Sequence, residues 1–124
     1  MTDKLAANFP TRELELYHRL IEATPGVELK SNFGFPYTAV NGHMHSFLDK
    51  AGSLALRLEQ AEREAFMVKF GASLYLHESG SVLKQYVAAP AELLADTTTA
   101  SVYLAKSLAY AQTLKPKPPR TSAP

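Results

Sequence analysis

The amino-acid sequence predicts an α+β fold, a two-layer sandwich in which helices cover one face of a mostly antiparallel sheet of about five strands. Two hairpin signals predict the antiparallel pairing: Asn41-Gly42 between two β-rich segments, and a polar turn at residues 78–81. The third observation is the helical period of the apolar residues in three other segments. Along the chain, these signals predict a helix, three or four strands, a helix, two strands and a helix.

The composition is that of one ordinary globular domain. The chain has 124 residues, of which 46% are hydrophobic and 20% are charged. The 13 basic and 12 acidic residues give a net charge of +1, which provides no general attraction to nucleic acid or to an anionic membrane. There is no cysteine, so disulfides, thiol catalysis and Cys-based zinc sites are excluded. No apolar run is long enough for a membrane span, and we expect a cytoplasmic protein.

We divide the chain into three parts. Residues 1–10 are predicted to be a flexible leader, residues 11–115 a single domain, and residues 116–124 a proline-rich disordered tail. The first helix begins at Thr11, whose hydroxyl can cap it, and it ends at residues 24–26. Its apolar residues are expected on one face: Leu14, Leu16, Tyr17, Leu20 and Ile21.

The segment after the first helix predicts three or four strands. Residues 28–40 form one bent strand or two, and residues 43–49 and 53–58 form the following strands. Asn41-Gly42 is the turn between the first two, because a type I′ turn needs φ > 0 at both central residues and these residue types adopt it most readily.

A two-residue turn fixes which residues of the hairpin face each other. The expected pairs are Val40 with His43, Ala39 with Met44, Thr38 with His45, and Tyr37 with Ser46. Because side chains alternate along a strand, five apolar residues are expected to share one face: Phe35, Tyr37, Ala39, Met44 and Leu48. We interpret that face as the core, and the opposite face, which carries both histidines, as the outer surface.

Two longer helices are predicted in the second half of the chain. Residues 59–70 form one that ends at Gly71. Its inner stripe is expected to be Ala61, Ala65 and Val68. Asp96 or Thr97 can cap the last helix. Its apolar stripe has a helical period: Ala100, Leu104, Ser107/Leu108, Ala111 and Leu114.

A second hairpin and a short helix lie between these two helices. Residues 73–77 and 82–88 are expected to pair across the turn at residues 78–81. Pro90 suits the first position of a short helix that runs to about residue 95. With the helices grouped on one face of the sheet, the expected core is Leu14, Tyr17, Ile21, Phe35, Tyr37, Met44, Leu56, Leu104, Leu108 and Ala111.

Four segments match a family pattern in their order and spacing. Residues 30–48 (KSNFGFPYTAVNGHMHSFL) contain a Phe-Gly segment, a strand, an Asn-Gly turn and a second strand with a methionine. Arg57-Leu58 ends a strand, residues 83–90 (LKQYVAAP) carry a leucine where the pattern has methionine, and residues 108–118 end a helix in Pro-Lys-Pro. The chain thereby resembles the N-terminal domain family of TfoX/Sxy, the bacterial competence regulator.

The resemblance covers about residues 11–119 and implies a stand-alone domain of this type, without the second, helical domain of full-length TfoX. It implies a two-layer fold like that of type III secretion chaperones, which is often seen as a dimer. It implies no catalytic residues.

His43 and His45 are the candidate metal-binding residues. Residues i and i+2 of a strand point to the same side about 6.8 Å apart, so two imidazoles can share a metal ion. The pattern provides no third ligand, because Asp49 lies about 13 Å further along the strand and His77 belongs to another strand. The alternative interpretation is a pair of surface or dimer-interface histidines.

Four basic residues form a second candidate site. Arg57 and Lys84 are expected to point outwards from the sheet, with Arg63 and Lys69 on the following helix. Together they form either an anion or interaction surface, or a solvated surface with salt bridges.

Two further segments have a functional and a structural interpretation. Phe33, Phe35 and Tyr37 around Gly34 form either an aromatic platform, as in single-stranded nucleic-acid binders, or core packing at a bend. Residues 116–120 match a proline-rich ligand or belong to the disordered tail.

The first functional hypothesis is a non-enzymatic regulatory or protein-interaction module that works as a homodimer and needs no cofactor. The sequence has no Gly-rich phosphate loop, Gly-x-Ser-x-Gly or His-Glu-x-x-His motif. The outer sheet face, with Val40, Phe47 and the histidines, is more apolar than a monomer needs to expose.

The alternative is a small-molecule or metal-binding protein, or an unrecognised enzyme, that uses His43 and His45. A DNA-associated competence-type regulator is a third hypothesis, against which the net charge argues.

Overall fold

The computed structural model of the chain describes residues 11–30, 35–77 and 79–116. The helices in this part of the chain are α1 (Thr11–Glu22), α2 (Gln60–Phe70), α3 (Ala91–Ala95) and α4 (Thr97–Thr113). The strands are β1 (Leu29–Lys30), β2 (Tyr37–Val40), β3 (His43–Leu48), β4 (Leu54–Arg57), β5 (Leu74–Leu76) and β6 (Val82–Ala89). The predicted leader, residues 117–124 of the predicted tail, and Phe33 and Gly34 of the aromatic platform lie outside the described residues.

The described strands form one sheet in the order β1-β2-β3-β4-β6-β5, and each neighbouring pair is antiparallel. All four described helices contribute side chains to one apolar core cluster. This arrangement confirms the predicted two-layer α+β sandwich with helices on one face. The sheet has a sixth strand because residues 28–40 are not one bent strand: β1 turns back and pairs with β2.

The helix-covered core is built from the apolar faces of α1 and α4 against the leucines of the sheet. Tyr17 and Leu20 of α1 and Leu104 of α4 are fully buried. They pack in one cluster with Leu54 and Leu56 of β4. The apolar stripe predicted for α4 is confirmed from Ala100 to Ala111: Ala100, Leu104, Ser107, Leu108 and Ala111 are buried.

Helix α2 has the predicted ends but turns a different side to the core. Glu59 caps its first turn by accepting a hydrogen bond from the Ala61 N–H, and Gly71 ends it with φ +61°. The predicted inner stripe is wrong: Ala61 and Ala65 are exposed, and Val68 is 86% exposed. An aromatic set faces inwards instead, consisting of buried Phe66 with Phe70 at 4.7 Å and Tyr103 of α4 at 5.1 Å between ring centres. Large rings bury more apolar area than alanines, so they set the rotation of the helix.

The β2–β3 hairpin has the predicted turn. Asn41 and Gly42 both have positive φ, at +56° and +81°. The first two predicted pairs are confirmed, Val40 with His43 and Ala39 with Met44. The chain therefore reverses as a type I′ turn requires.

The register of this hairpin then shifts by one residue. Thr38 pairs with Ser46 instead of His45, and Tyr37 pairs with Phe47 instead of Ser46, so the two predicted pairs beyond the turn are wrong. His45 is the extra residue of a β-bulge on β3.

The bulge decides which side chains face the helices. His45 and Ser46 both hydrogen-bond to Thr38 on the helix-covered side, and Leu48 follows them into the core. The predicted outward position of His45 is therefore wrong, because this residue is fully buried. The predicted core position is also wrong for three apolar residues, which belong to a second cluster on the other face: Tyr37, Ala39 and Met44. Phe35 packs against both clusters. The second cluster is made of strand residues and Phe35, and we call its side of the sheet the open face.

We expect Gly42→Val to destabilise the domain by about 1–2 kcal/mol, because a β-branched residue is strained at positive φ. Asn41→Gly is the matched control at the neighbouring turn position, and it should not destabilise, because glycine adopts positive φ without a steric cost. Urea denaturation of both variants and the parent measures the difference. Equal midpoints for Gly42→Val and the parent would contradict the turn assignment.

Candidate functional site

Five aromatic rings pack against one another on the open face. Phe47 of β3 is at their centre, with ring centres of Tyr75, Tyr86 and Phe35 at 5.0, 5.6 and 5.7 Å. Tyr37 adjoins Phe35 at 5.9 Å. All contacts are tilted or edge-to-face, the arrangements that the charge distribution of the rings favours. These five residues are the aromatic cluster.

Small residues lie beneath the aromatic cluster. Ala55 of β4 pairs with Phe47 on one side and with Ala88 of β6 on the other. Ala55 is fully buried although it faces away from the described helices. The rings of the aromatic cluster pack around Ala55 and Ala88 in one apolar cluster.

A cavity of about 610 Å³ opens beside the aromatic cluster. Its apolar lining is Phe35, Met44, Phe47, Tyr75, Leu76 and Leu83. We call it the open-face cavity. Ligand sites in proteins have this size and this mainly apolar lining, with a few polar groups that orient the ligand.

Asp49 is one of the polar groups at the rim of the cavity, and it is held in place by three donors. Its Oδ1 accepts hydrogen bonds from the backbone N–H groups of Ala51 and Ser53, at 3.0 and 2.9 Å. Its Oδ2 accepts from the Tyr75 hydroxyl at 2.7 Å. The turn after β3 and the ring on β5 are thereby tied together at the cavity mouth.

Lys50 and His77 complete the polar rim, and both are exposed. Nδ1 of His77 accepts a hydrogen bond from the Ser79 backbone N–H at 3.0 Å. In the neutral imidazole the proton is therefore on Nε2, which becomes a donor. Lys50 forms no ion pair with any residue that the structure describes.

A buried polar network lies on the opposite, helix-covered side. The Tyr17 hydroxyl is 2.7 Å from the Ser46 hydroxyl, which is 2.6 Å from that of Thr38. Nδ1 of His45 lies 3.2 Å from Thr38 Oγ1 and 3.2 Å from Ser107 Oγ. These five side chains, from α1, β2, β3 and α4, are the buried network, and all are fully buried.

The hydrogen bonds of the buried network assign the tautomer of His45. Ser107 uses its one hydroxyl proton to donate to the His45 backbone carbonyl at 2.7 Å. It must therefore accept from Nδ1–H of His45, and Nε2 carries only a lone pair. Nε2 is the one buried side-chain polar atom, within the described ranges, that has no partner. Burial and, as a smaller contribution, the positive charge of Arg57 together lower the pKa of His45 to about 4.

The structure separates the two histidines of the predicted metal site. His45 is enclosed in the buried network, whereas His43 hydrogen-bonds through Nε2 to the Lys115 carbonyl at 2.7 Å, beyond the end of α4. Across the described residues, no group of three or more His, Asp or Glu side chains is arranged to hold a metal ion.

Arg57 of the predicted basic surface is held by neighbouring side chains. Its Nε donates to Gln85 Oε1 at 2.7 Å, and its guanidinium carbon lies 6.0 and 5.9 Å from the ring centres of Tyr86 and Tyr110. Arg63 donates to the Leu58 carbonyl at 2.8 Å. Lys84 is exposed on β6.

The sequence predicted part of the aromatic cluster and none of the cavity. Phe35 and Tyr37 were singled out as a possible platform, and both belong to the cluster. The sequence also predicts Phe47 on the face opposite the core, where the structure has it. It does not predict Tyr75, Tyr86 or Leu83 for the site, because β5 and β6 join the β2–β3 hairpin only through the sheet order. Leu83 is followed in the sequence by two polar residues, Lys84 and Gln85, so simple alternation does not assign its face.

No protein-family model matches the chain, and neither a curated protein nor a solved structure matches it. None of the described helices is long and apolar enough to cross a membrane. The geometry of the site is therefore the basis for a functional assignment.

The buried network predicts a pH-dependent stability. The unfolded chain takes up a proton on His45 near pH 6.5, whereas the folded chain does so at about pH 4. Between these values the unfolded state binds more protons, so the contribution of His45 to stability is complete above about pH 6.5 and is lost as the pH falls towards about 4. The loss amounts to roughly 3 kcal/mol.

Urea denaturation of the parent, His45→Gln and His18→Gln across this pH range measures the effect. His18 is exposed on α1 and is the matched control. We expect the pH slope to flatten in His45→Gln alone, and the His45 imidazole of the parent to stay neutral in NMR titration down to about pH 4. The same slope in all three proteins would disprove the role of His45.

Proposed function

We propose that the chain is a non-catalytic binding module with a regulatory role, and that the open-face cavity is its binding site for a small apolar molecule. The cavity of about 610 Å³ beside the aromatic cluster carries this proposal. Its lining joins rigid rings to adaptable Met44 and two leucines, a combination that packs against flat apolar ligands.

The polar groups support binding better than catalysis. In the buried network, the hydroxyls of Thr38 and Ser107 both lie 3.2 Å from the His45 imidazole, as a nucleophile lies beside its base, but all three side chains are fully buried and no substrate reaches them. Asp49 at the cavity rim has both oxygens engaged by donors of the protein. The hydrogen bonds of Asp49 therefore fix the shape of the cavity mouth.

The resemblance to the TfoX/Sxy N-terminal domain family supports the regulatory part of the proposal. In a regulatory module, binding of the ligand in the cavity changes the surface around the cavity, and a partner protein recognises that change. A ligand that binds only the folded chain also stabilises it by mass action.

Fluorescence titration with the neutral apolar probe N-phenylnaphthylamine tests the binding site. We expect saturable binding of one probe per chain, and loss of most of it in Ala51→Phe, because Ala51 lines the cavity with an exposed side chain. Ala61→Phe makes the same change at an exposed position of α2 and should leave binding unchanged. Absence of binding in the parent, or equal binding in both variants, would refute the site.

We also propose that the module forms a homodimer through its outer hairpin. Leu76 and Val82 pair across β5 and β6 and are 62% and 48% exposed. Two adjacent exposed apolar side chains next to an edge strand favour contact with a second copy.

Sedimentation equilibrium measures the mass of the assembly. We expect the mass of two chains for the parent and of one chain for Val82→Asp, since a charge in an apolar interface is costly. Val102→Asp places the same charge at an exposed valine of α4 and should remain dimeric. A parent that has the mass of one chain at all concentrations would remove the dimer and leave the ligand site untouched.

A further inference from the structure

Among the described side chains at the rim of the open-face cavity, Lys50 and His77 have hydrogen-bond donors left over, whereas each oxygen of Asp49 already has a protein donor. Both carboxylate oxygens of Asp49 already accept hydrogen bonds from the protein. Lys50 has its three ammonium protons free of any ion pair within the described ranges, and His77 presents Nε2–H because its Nδ1 is occupied by Ser79. A ligand group placed at this rim therefore meets hydrogen-bond donors, one of which is positively charged.

We propose that the open-face cavity takes an apolar carboxylate, an inference that rests on the proposed function. The apolar body of the ligand packs against Phe47, Tyr75 and Leu83. Its carboxylate lies at the rim and accepts hydrogen bonds from Lys50 and from His77 Nε2–H. Charge-assisted hydrogen bonds of this kind are stronger than those of a neutral head group, so the rim selects an anion.

A cationic ligand is the competing possibility, because aromatic rings beside a carboxylate also attract a quaternary ammonium group. Two observations disfavour it. The Asp49 oxygens are engaged by two backbone N–H groups and a hydroxyl, which offset part of the negative charge. Lys50 lies at the same rim and repels a second cation.

Three naphthalene derivatives of equal apolar body separate these alternatives. Naphthoate is the anion, naphthamide its neutral counterpart, and naphthylmethyl-trimethylammonium the cation. Each displaces the neutral probe N-phenylnaphthylamine from the parent protein at neutral pH and low salt. We expect naphthoate to bind about tenfold more tightly than naphthamide, and the cation to bind most weakly.

Variants assign the preference to the rim. Lys50→Gln should weaken naphthoate binding about tenfold and leave naphthamide binding unchanged. His77→Ala should also weaken naphthoate binding. Lys69→Gln removes an exposed lysine of α2, away from the cavity, and should change neither affinity.

Each result decides the proposal. Equal affinity for naphthoate and naphthamide, or an unchanged preference in Lys50→Gln, would overturn the carboxylate assignment while the apolar site stands. Tightest binding of the cation would reassign the cavity as an aromatic cation site. If the neutral probe itself fails to bind, the proposed function fails, and the carboxylate inference fails with it.

Discussion

The β-bulge at His45 is the constraint on which the rest of the structure depends. One extra residue on β3 places two successive polar side chains, His45 and Ser46, on the helix-covered side, and sends Phe47 to the open face. Met44 and Phe47 both belong to the open face, which residues three apart in an unbroken strand could not do, because side chains of a regular strand alternate between its two faces. The bulge therefore sets which β3 side chains join the helix-covered core and which join the aromatic cluster. A second register shift, between Leu74 and Tyr75, lies on the β5–β6 side of the cavity.

The buried network explains why the bulge is stable. A bulge leaves backbone and side-chain polar groups without ladder partners, and buried polar groups are costly unless they are hydrogen-bonded. Ser107 of α4 meets this need by hydrogen-bonding to both the carbonyl and the imidazole of His45, and the Tyr17 hydroxyl of α1 hydrogen-bonds to the Ser46 hydroxyl. Since such contacts are directional, they also fix where the two helices lie on the sheet, which apolar packing alone specifies less sharply. The network thus joins helix position to strand register.

This dependence explains what the sequence could and could not predict. The Asn41-Gly42 turn, the ends of α2 and the apolar stripe of α4 depend on neighbouring residues, and they were predictable. The bulge depends on partners 29 and 62 residues away, Tyr17 and Ser107, so a count of alternating residues missed it. The same holds for the site. The sequence identifies Phe35 and Tyr37 as neighbouring aromatic residues, but which face of the sheet carries Tyr37 depends on where the helices pack. Helix α2 shows a different error. The regular spacing of Ala61, Ala65 and Val68 predicts an inner stripe, but Val68 is exposed because Phe66 buries more apolar area when it faces the core.

The two faces of the sheet differ in the residues that they carry and in how they are packed. The helix-covered face is closed by leucines and by a network whose hydrogen bonds must remain intact, so it tolerates little rearrangement. The open face packs rings around small residues such as Ala55 and Ala88, and none of the described helices covers it. In the proposed function the ligand lies on the open face, whereas the hydrogen bonds that position α1 and α4 lie on the opposite face of the sheet. The groups that hold the helices in place are therefore separate from the groups that would orient the ligand.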